Sequence, residues 1–310
     1  MGAGLSLAQR LQERARNALL RCGLTEVVTY SLQNAAAIER AGQAARAVVR
    51  LSNPLSEDYT QLRTSLLPSL LEVLNNNAQR DARIFELGKI YLPQGAGQQP
   101  NERRRIGIAL LDAPPAPHWQ KAAAPVDFYV LKSMVETLLR ELGAPAARYQ
   151  AVSEMPFHPG RCATLTLDDE VLGTLGEVHP TVRERYELRH RAYVAEIDLD
   201  VLVRHIALTT KYQPLPRFPS ADRDLALVLS TAVAAADVDA TIRAAGRPLL
   251  EAVRIFDVYS GPPIPAGSKS LALALRFRAI DRTLTDDEVD TAMQSIVTTA
   301  NRSLGAQLRA

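Results

Sequence analysis

Residues 51–92 read LSNPLSEDYTQLRTSLLPSLLEVLNNNAQRDARIFELGKIYL, and the fold turns on how this stretch is interpreted. Asn53-Pro54 opens a turn, because the proline ring drives the preceding residue out of helical geometry. Leu62, Leu66, Leu67, Leu70, Leu71 and Leu74 recur at three- and four-residue spacing, which predicts a helix with a broad buried face. Pro68 either starts that helix, where a missing N–H is harmless, or kinks it. Asn75, Asn76 and Asn77 close it. From Arg83 to Leu92, the side chains Ile84, Glu86, Gly88 and Ile90 alternate with Phe85, Leu87, Lys89 and Tyr91, the period of a strand. The leucine density exceeds what one helix face buries, so this region is expected to leave apolar surface for a partner.

Working outward, Ser6 is placed to cap a helix through Leu7, Leu11, Ala15, Ala18, Leu19 and Cys22, ended by Gly23. Residues 25–31 are β-rich and predict a buried strand. Asn34 caps a short alanine-rich helix. Strands are predicted at 105–111, 163–167, 171–178 and 192–197, with an Asp168-Asp169 turn between the second and third. Asp127 and Gly143 bracket an amphipathic helix, Pro180 starts a short helix and Asp198 another. Residues 93–101 and 113–125 read as loops. Hairpins interleaved with helices predict an α+β fold with a mainly antiparallel sheet.

Residues 206–220 carry Pro214, Pro216 and Pro219 and read as a linker. Beyond it Leu225, Leu227 and Leu229 alternate, a helix follows to Gly246, and strands follow at 253–259 and 271–277. Thr285 with Glu288 forms a capping box that opens the last helix, and a short strand closes the chain. This is the βαββαβ order of a ferredoxin-like domain.

The bulk composition is restrictive. The chain has 310 residues, 47% of them hydrophobic, and a net charge of +2, so it has core for two domains and no global polybasic character. Cys22 and Cys162 stand far apart, suggest no disulfide framework and fit a reducing, cytoplasmic setting. No apolar run approaches the roughly 20 residues of a membrane span. No phosphate-binding glycine loop and no paired-cysteine zinc motif occurs.

Three phrases then become informative together: Asn-Pro-Leu-Ser-Glu at 53–57, Leu-Arg-Thr-Ser-Leu-Leu-Pro at 62–68 and Phe-Glu-Leu-Gly at 85–88. In order and separation they closely resemble the synthetase-like core of the β chain of bacterial phenylalanine–tRNA ligase. Downstream, Phe218-Pro219, Arg223-Asp224-Leu225, Phe256-Asp257-Val258-Tyr259 and Gly305-Ala306-Gln307-Leu308-Arg309 resemble the ferredoxin-fold anticodon-binding domain that ends the same β chain. The resemblance implies three regions. Residues 1–205 form a non-catalytic class II synthetase-like core with a mainly antiparallel sheet and helices. Residues 206–220 form a Pro-rich linker, and 221–310 an anticodon-binding ferredoxin-like domain. The family's upstream modules are not represented, so the sequence reads as a C-terminal portion.

The resemblance also implies what the chain does. The family attaches phenylalanine to its tRNA using ATP. The α chain performs the reaction, and two α and two β chains assemble. Set against that catalytic chain, residues 82–92 resemble the second-motif strand and 193–202 the region of the third motif. Leu92 and Val201 then stand where phosphate-binding arginines belong, and Glu196 and Asp198 place carboxylates there. The expected role is therefore to scaffold the α chain and bind the anticodon region of tRNA(Phe), with no catalytic, ATP or metal residue in this chain. ATP and magnesium serve only the assembled enzyme. The competing reading is a free-standing RNA-binding or regulatory protein built from the same modules.

For RNA contact, the leucines of 271–275 and Phe277 share one strand face, while Ala272, Ala274, Arg276 and Arg278 share the other. Arg254 and Phe256 are expected beside them on the open sheet, where arginine and an aromatic suit unstacked bases and phosphates. Arg223 and Lys269 are further candidates. From Pro214 onward the chain has eleven basic and eleven acidic residues, so binding must come from local patterning. Three weaker groupings read as structural. They are His158, Arg161 and Cys162 in a loop, His179 at a helix start, and Asp286, Asp287, Glu288 and Asp290 at a helix N-terminus.

Overall fold

In a computed structural model, the structure describes residues 4–43, 47–77, 82–95, 97–114, 125–206, 212 and 214–309. The chain divides into two compact units, Met1–Thr210 and Lys211–Ala310. Most of the loop expected at 113–125 and part of the linker expected at 206–220 lie outside the described residues. Pro214, Pro216 and Pro219 carry no regular structure.

The first unit runs α1 (Leu7–Arg21), β1 (Thr25–Glu26), β2 (Leu32–Gln33), α2 (Ala35–Arg40), β3 (Gln61–Leu62), α3 (Leu67–Asn76), β4 (Arg83–Leu92), β5 (Asn101–Leu111), α4 (Phe128–Leu142), β6 (Arg148–Ala151), β7 (Phe157–Leu167), β8 (Glu170–Val178), α5 (Pro180–Arg185), β9 (Ala192–Asp198) and α6 (Leu199–His205). Local chemistry sets these bounds. Ser6 and Gln9 form a reciprocal capping box on α1. Asp127 accepts from Val130 N–H and Gly143, at φ 78°, ends α4. Pro68 lies in the first turn of α3, so it starts the helix and does not kink it.

Seven strands form one sheet in the order β1-β4-β5-β9-β8-β7-β6, in which only β1 and β4 run parallel. Both faces are covered. On one, α1, α4 and α6 pack over Phe85, Ile106, Ile108 and Leu165. On the other, α3 and α5 pack over Ile84, Ile90, Ala109 and Val194. Two expectations need correction. Residues 25–31 form a two-residue strand and then a loop from which Val28 and Tyr30 project, 90% and 73% exposed. Leu62 belongs to β3 and not to the helix, and Leu66, Leu67, Leu70, Leu71 and Leu74 are all buried within the unit. The leucine-rich helix therefore leaves no spare apolar surface. Val28, Tyr30, Leu51, Leu55 and Tyr59 are among the exposed large side chains of the unit. They flank a small ribbon in which β2 pairs with β3 and Arg50 bridges Gln61.

The approach to α3 is clamped by charge. Gly107 lies opposite both Glu86 and Glu196 in the sheet. A Cβ on Gly107 would stand 2.5 Å from a Leu70 methyl, so glycine lets the helix sit directly on the strand. Arg63, buried, donates to Glu86 at 2.8 Å, to Thr29 Oγ1 at 2.8 Å and to the Lys89 carbonyl at 2.8 Å. On the other side Ser65 Oγ donates to Glu196 at 2.6 Å. The phrases at 62–68 and 85–88 thus meet as a buried ion pair.

The second unit runs β10 (Ala221–Ser230), α7 (Ala235–Ala245), β11 (Leu250–Tyr259), β12 (Ser268–Phe277), α8 (Asp286–Leu304) and β13 (Gln307–Leu308), with sheet order β11-β12-β10-β13. Leu225, Leu227, Leu271, Leu273, Leu275 and Phe277 face the two helices and meet Val238, Ile242, Val289 and Ile296 in one core. The opposite face is not covered by a helix of this unit.

The clamp yields a stability test. Glu86→Ala strands a buried guanidinium and should remove about 3–5 kcal/mol from the first unit, whereas the double replacement Arg63→Met with Glu86→Leu should remove much less. Urea unfolding of both variants checks this. A double variant no more stable than the single one would show that the pair is not the source of the loss.

Candidate nucleic-acid interface

The strands aligned with the two synthetase motifs are separated by one strand and largely covered. Between β4 and β9 lies β5, covered by α3 on one face and by α1, α4 and α6 on the other. Glu196 and Asp198 have structural duties. Glu196 holds Ser65, and Asp198 caps α6 through the N–H of Val201 at 3.0 Å while pairing with Arg105 at 3.2 Å. Val201 is core. Leu92 ends β4 and is partly buried against α3's side of the sheet. A small cleft of about 190 Å³ is lined by Lys89, Arg104 and Arg105. Each of these cations has a carboxylate partner: Glu102, Asp200 and Asp198 respectively. Burial pushes the Asp200 carboxyl up, but hydrogen bonds from Arg104 backbone and side chain outweigh it, and the group lies below the usual carboxylate range. These cations are already neutralised by neighbouring carboxylates.

The weaker groupings also resolve. Cys162 is buried, and burial, with Glu154 nearby, pushes its thiol up to about 12, so it carries no thiolate at neutral pH. Arg161 pairs with Glu177 at 2.7 Å. His179 caps α5 by accepting from Thr181 N–H. Asp286 pairs with Arg223, and Glu288 completes the cap with Thr285 and pairs with Arg282. Among the described residues no group of three or more His, Cys, Asp or Glu is disposed to hold a metal ion, and no helix is long and apolar enough to cross a membrane.

The open face of the second unit is different. Ala226, Ala272 and Ala274 form its floor, since Asp224 pairs with Ala274 and Ala226 with Ala272 across β10 and β12. Arg276 stands on this face and holds Asp222 with two bonds, 2.9 and 3.1 Å long. The guanidinium keeps the Asp222 carboxyl below the usual range. Arg254 is exposed opposite Ala274 and makes no ion pair among the described residues. A bulge between Ile255 and Asp257 throws Phe256 outward, 50% exposed. Arg278, just past β12, is held by Glu251 at 3.0 Å and donates to the Phe218 carbonyl.

Two candidates sit on the other side. Arg223 lies opposite Leu275, on the helix side, and reaches Asp286 at 2.8 Å. Lys269 lies opposite Leu229 and closes the turn before α7 by donating to the carbonyls of Val233 and Thr231 at 2.6 and 3.2 Å. The alternation that put Arg276 outward puts both of these inward. Tyr259 was not anticipated. The bulge shifts the parity of β11 so that Tyr259 falls opposite Ser270 on the open face, with the Arg309 guanidinium 5.7 Å from its ring centre. A groove of about 690 Å³ beside Phe256 is also lined by Ala226, Ala272, Leu308 and Arg309.

With this geometry in view, comparisons with known proteins are specific. Residues 1–199 match the family described as phenylalanyl tRNA synthetase beta chain CLM domain. Residues 216–309 match the ferredoxin-fold anticodon binding domain. Among curated relatives, the phenylalanine–tRNA ligase beta subunit of Symbiobacterium thermophilum is 41% identical over 99% of this chain and 35% of its own length. The Clostridium tetani subunit is 38% identical over 99% of this chain and 38% of its own length. The chain thus spans little more than a third of the curated relatives it matches. A crystal structure of pyrrolysyl-tRNA synthetase from Desulfitobacterium hafniense superposes with a TM-score of 0.50 at 20% identity, over 66% of this chain and 74% of that one, a likeness of fold alone. From its two matched domains, the chain belongs to the phenylalanyl-tRNA synthetase beta-chain family.

Proposed function

We propose that the chain is a non-catalytic part of a phenylalanine–tRNA ligase β subunit that scaffolds a catalytic α chain in an α2β2 assembly and contacts the anticodon region of tRNA(Phe). ATP and magnesium act in the assembled enzyme and bind no residue of this chain. The observation that carries the RNA reading is the open face of the second unit. Its alanine floor leaves room for a planar base, with Phe256 and Tyr259 beside it to stack and Arg254 to meet phosphate. Stacking of one base on an aromatic side chain contributes about 1–3 kcal/mol. The scaffold reading is supported by the covered sheet and the paired cations of the first unit. The free-standing alternative is disfavoured because the curated relatives that cover 99% of this chain are ligase beta subunits, of which the match takes up 35% and 38%.

The candidate surface for the α chain is the ribbon bearing Tyr30, Leu55 and Tyr59, where the Tyr30 and Tyr59 rings lie 5.3 Å apart. Exposed apolar patches of this kind mark interaction sites, and a stable interface covers about 800 Å² on each partner.

Three measurements test the proposal. In the assembled enzyme, Arg254→Ala with Phe256→Ala should raise the KM for tRNA about tenfold and leave phenylalanine activation unchanged. Arg276→Ala should do less, because Asp222 already occupies that guanidinium, and Asp222→Asn should lower the KM. Unchanged tRNA kinetics in the folded double variant would move the RNA surface elsewhere. Secondly, Tyr30→Ser with Leu55→Asp should weaken capture of the α chain at least about tenfold, read by co-purification and sedimentation. Retained affinity would place the interface on another face. Thirdly, the chain alone should give no pyrophosphate exchange above background; measurable exchange would contradict the scaffold reading.

A further inference from the structure

The sheet of the second unit ends on a strand that is only partly covered. β13 pairs with Leu227 and Val228 of β10, and Arg309 N–H donates to the Ala226 carbonyl at 2.9 Å. Among the described residues, no strand pairs with the outer edge of β10 between Ala221 and Leu225, although its inner edge is in register with β12 from end to end. In an antiparallel ladder, the N–H and C=O of one residue point to the same side, and successive residues alternate. Because Ala226 offers its carbonyl outward, Asp222 and Asp224 aim their backbone groups outward too. Such an edge is a template for another extended chain.

The side chains around this edge state what that chain must carry. The groove beside it is lined by Asp224, Met293, Val297 and Leu308, so residues of an added strand that point toward α8 meet apolar surface. Those pointing to the open face meet carboxylate. Asp222 and Asp224 stand there on β10, while Asp286, Asp287 and Asp290 add negative charge from the first turns of α8 on the helix side, all exposed. Arg223 reaches Asp286 at 2.8 Å and Asp290 at 4.0 Å, and Arg276 holds Asp222. Asp224 and Asp287 have no ion pair among the described residues. The flank is therefore net negative. It repels an RNA strand, and it repels a second copy of the same acidic edge.

We propose that the edge of β10 from Ala221 to Leu225 is a docking site for a protein partner. The partner supplies an extended segment of alternating basic and apolar residues, which joins the sheet as an added strand.

The test uses the full chain and a synthetic acetylated octapeptide of alternating lysine and valine, followed by amide NMR. The expected result is saturable binding with exchange protection of the Asp222 and Asp224 amides. A peptide methylated on the amide nitrogens that face β10 cannot pair with it, and should bind about tenfold more weakly. Asp224→Lys should weaken the parent peptide by a similar factor. Asp224→Pro should abolish binding while the spectrum stays folded, because that N–H takes no part in the ladder. Absence of saturable binding at millimolar peptide, equal binding of the methylated peptide, or exchange protection of the same two amides by an octauridylate would each overturn the proposal.

Discussion

The first unit depends on one constraint, the closeness with which α3 sits on β5. That closeness needs a residue without a side chain at position 107, and it needs the incoming segment to be held in register before the helix begins. Arg63 and Ser65 provide this, each tied to a carboxylate on a different strand, with Gly107 between them. A buried ion pair adds little stability over an apolar pair of the same volume. Its geometry here specifies where the helix starts, because Arg63 also binds the Lys89 carbonyl and Thr29 and so cannot slide along the strand. The same arrangement seats α3 over one face of β5, between the two motif-like strands.

Much of this was legible in the residues, and the boundary of legibility is physical. Caps are local chemistry, so Ser6, Asn34, Asp127 and Thr285 announced their helices, and Gly143 announced an end. Period-two alternation placed β12 on the correct faces, but on β4, expected to have one well-buried side, both faces are covered. What failed was non-local. Residues 25–31 have the composition of a strand, but only Thr25 and Glu26 pair as one, alongside Ile84 and Phe85. Leu62 fits a helical period by coincidence of spacing. The purpose of Arg63 could not be read at all, since nothing in a sequence joins it to Glu86.

The RNA face shows how one backbone irregularity limits such reading. Parity counted along β11 is valid only up to Ile255. Past the bulge every side chain changes face, which brings Tyr259 forward and makes Phe256 an outward wedge. Parity also misassigned no residue on β10 or β12 once it was applied to each one. Charge alone singles out Arg223 and Lys269, whereas their alternation points them toward the helices. Charge identified the cations of this unit, but only backbone geometry separates those that close a turn or pin a helix from those that face outward.

The bond between Ser65 and Glu196 spans 131 positions of chain. Its consequence is temporal. Bringing such distant residues together carries the entropic penalty of a long loop before any contact compensates it, and folds rich in distant contacts form slowly. On a ribosome, β4 and β5 emerge and pair as a hairpin well before β9 exists. Until β9 arrives, the leucines of α3 have half a platform, and the helix lacks one of its two anchors. The nascent unit thus passes through an interval with a leucine-rich segment incompletely seated, the kind of intermediate that chaperones shield. The residue that ends the interval is a glutamate near the close of the unit.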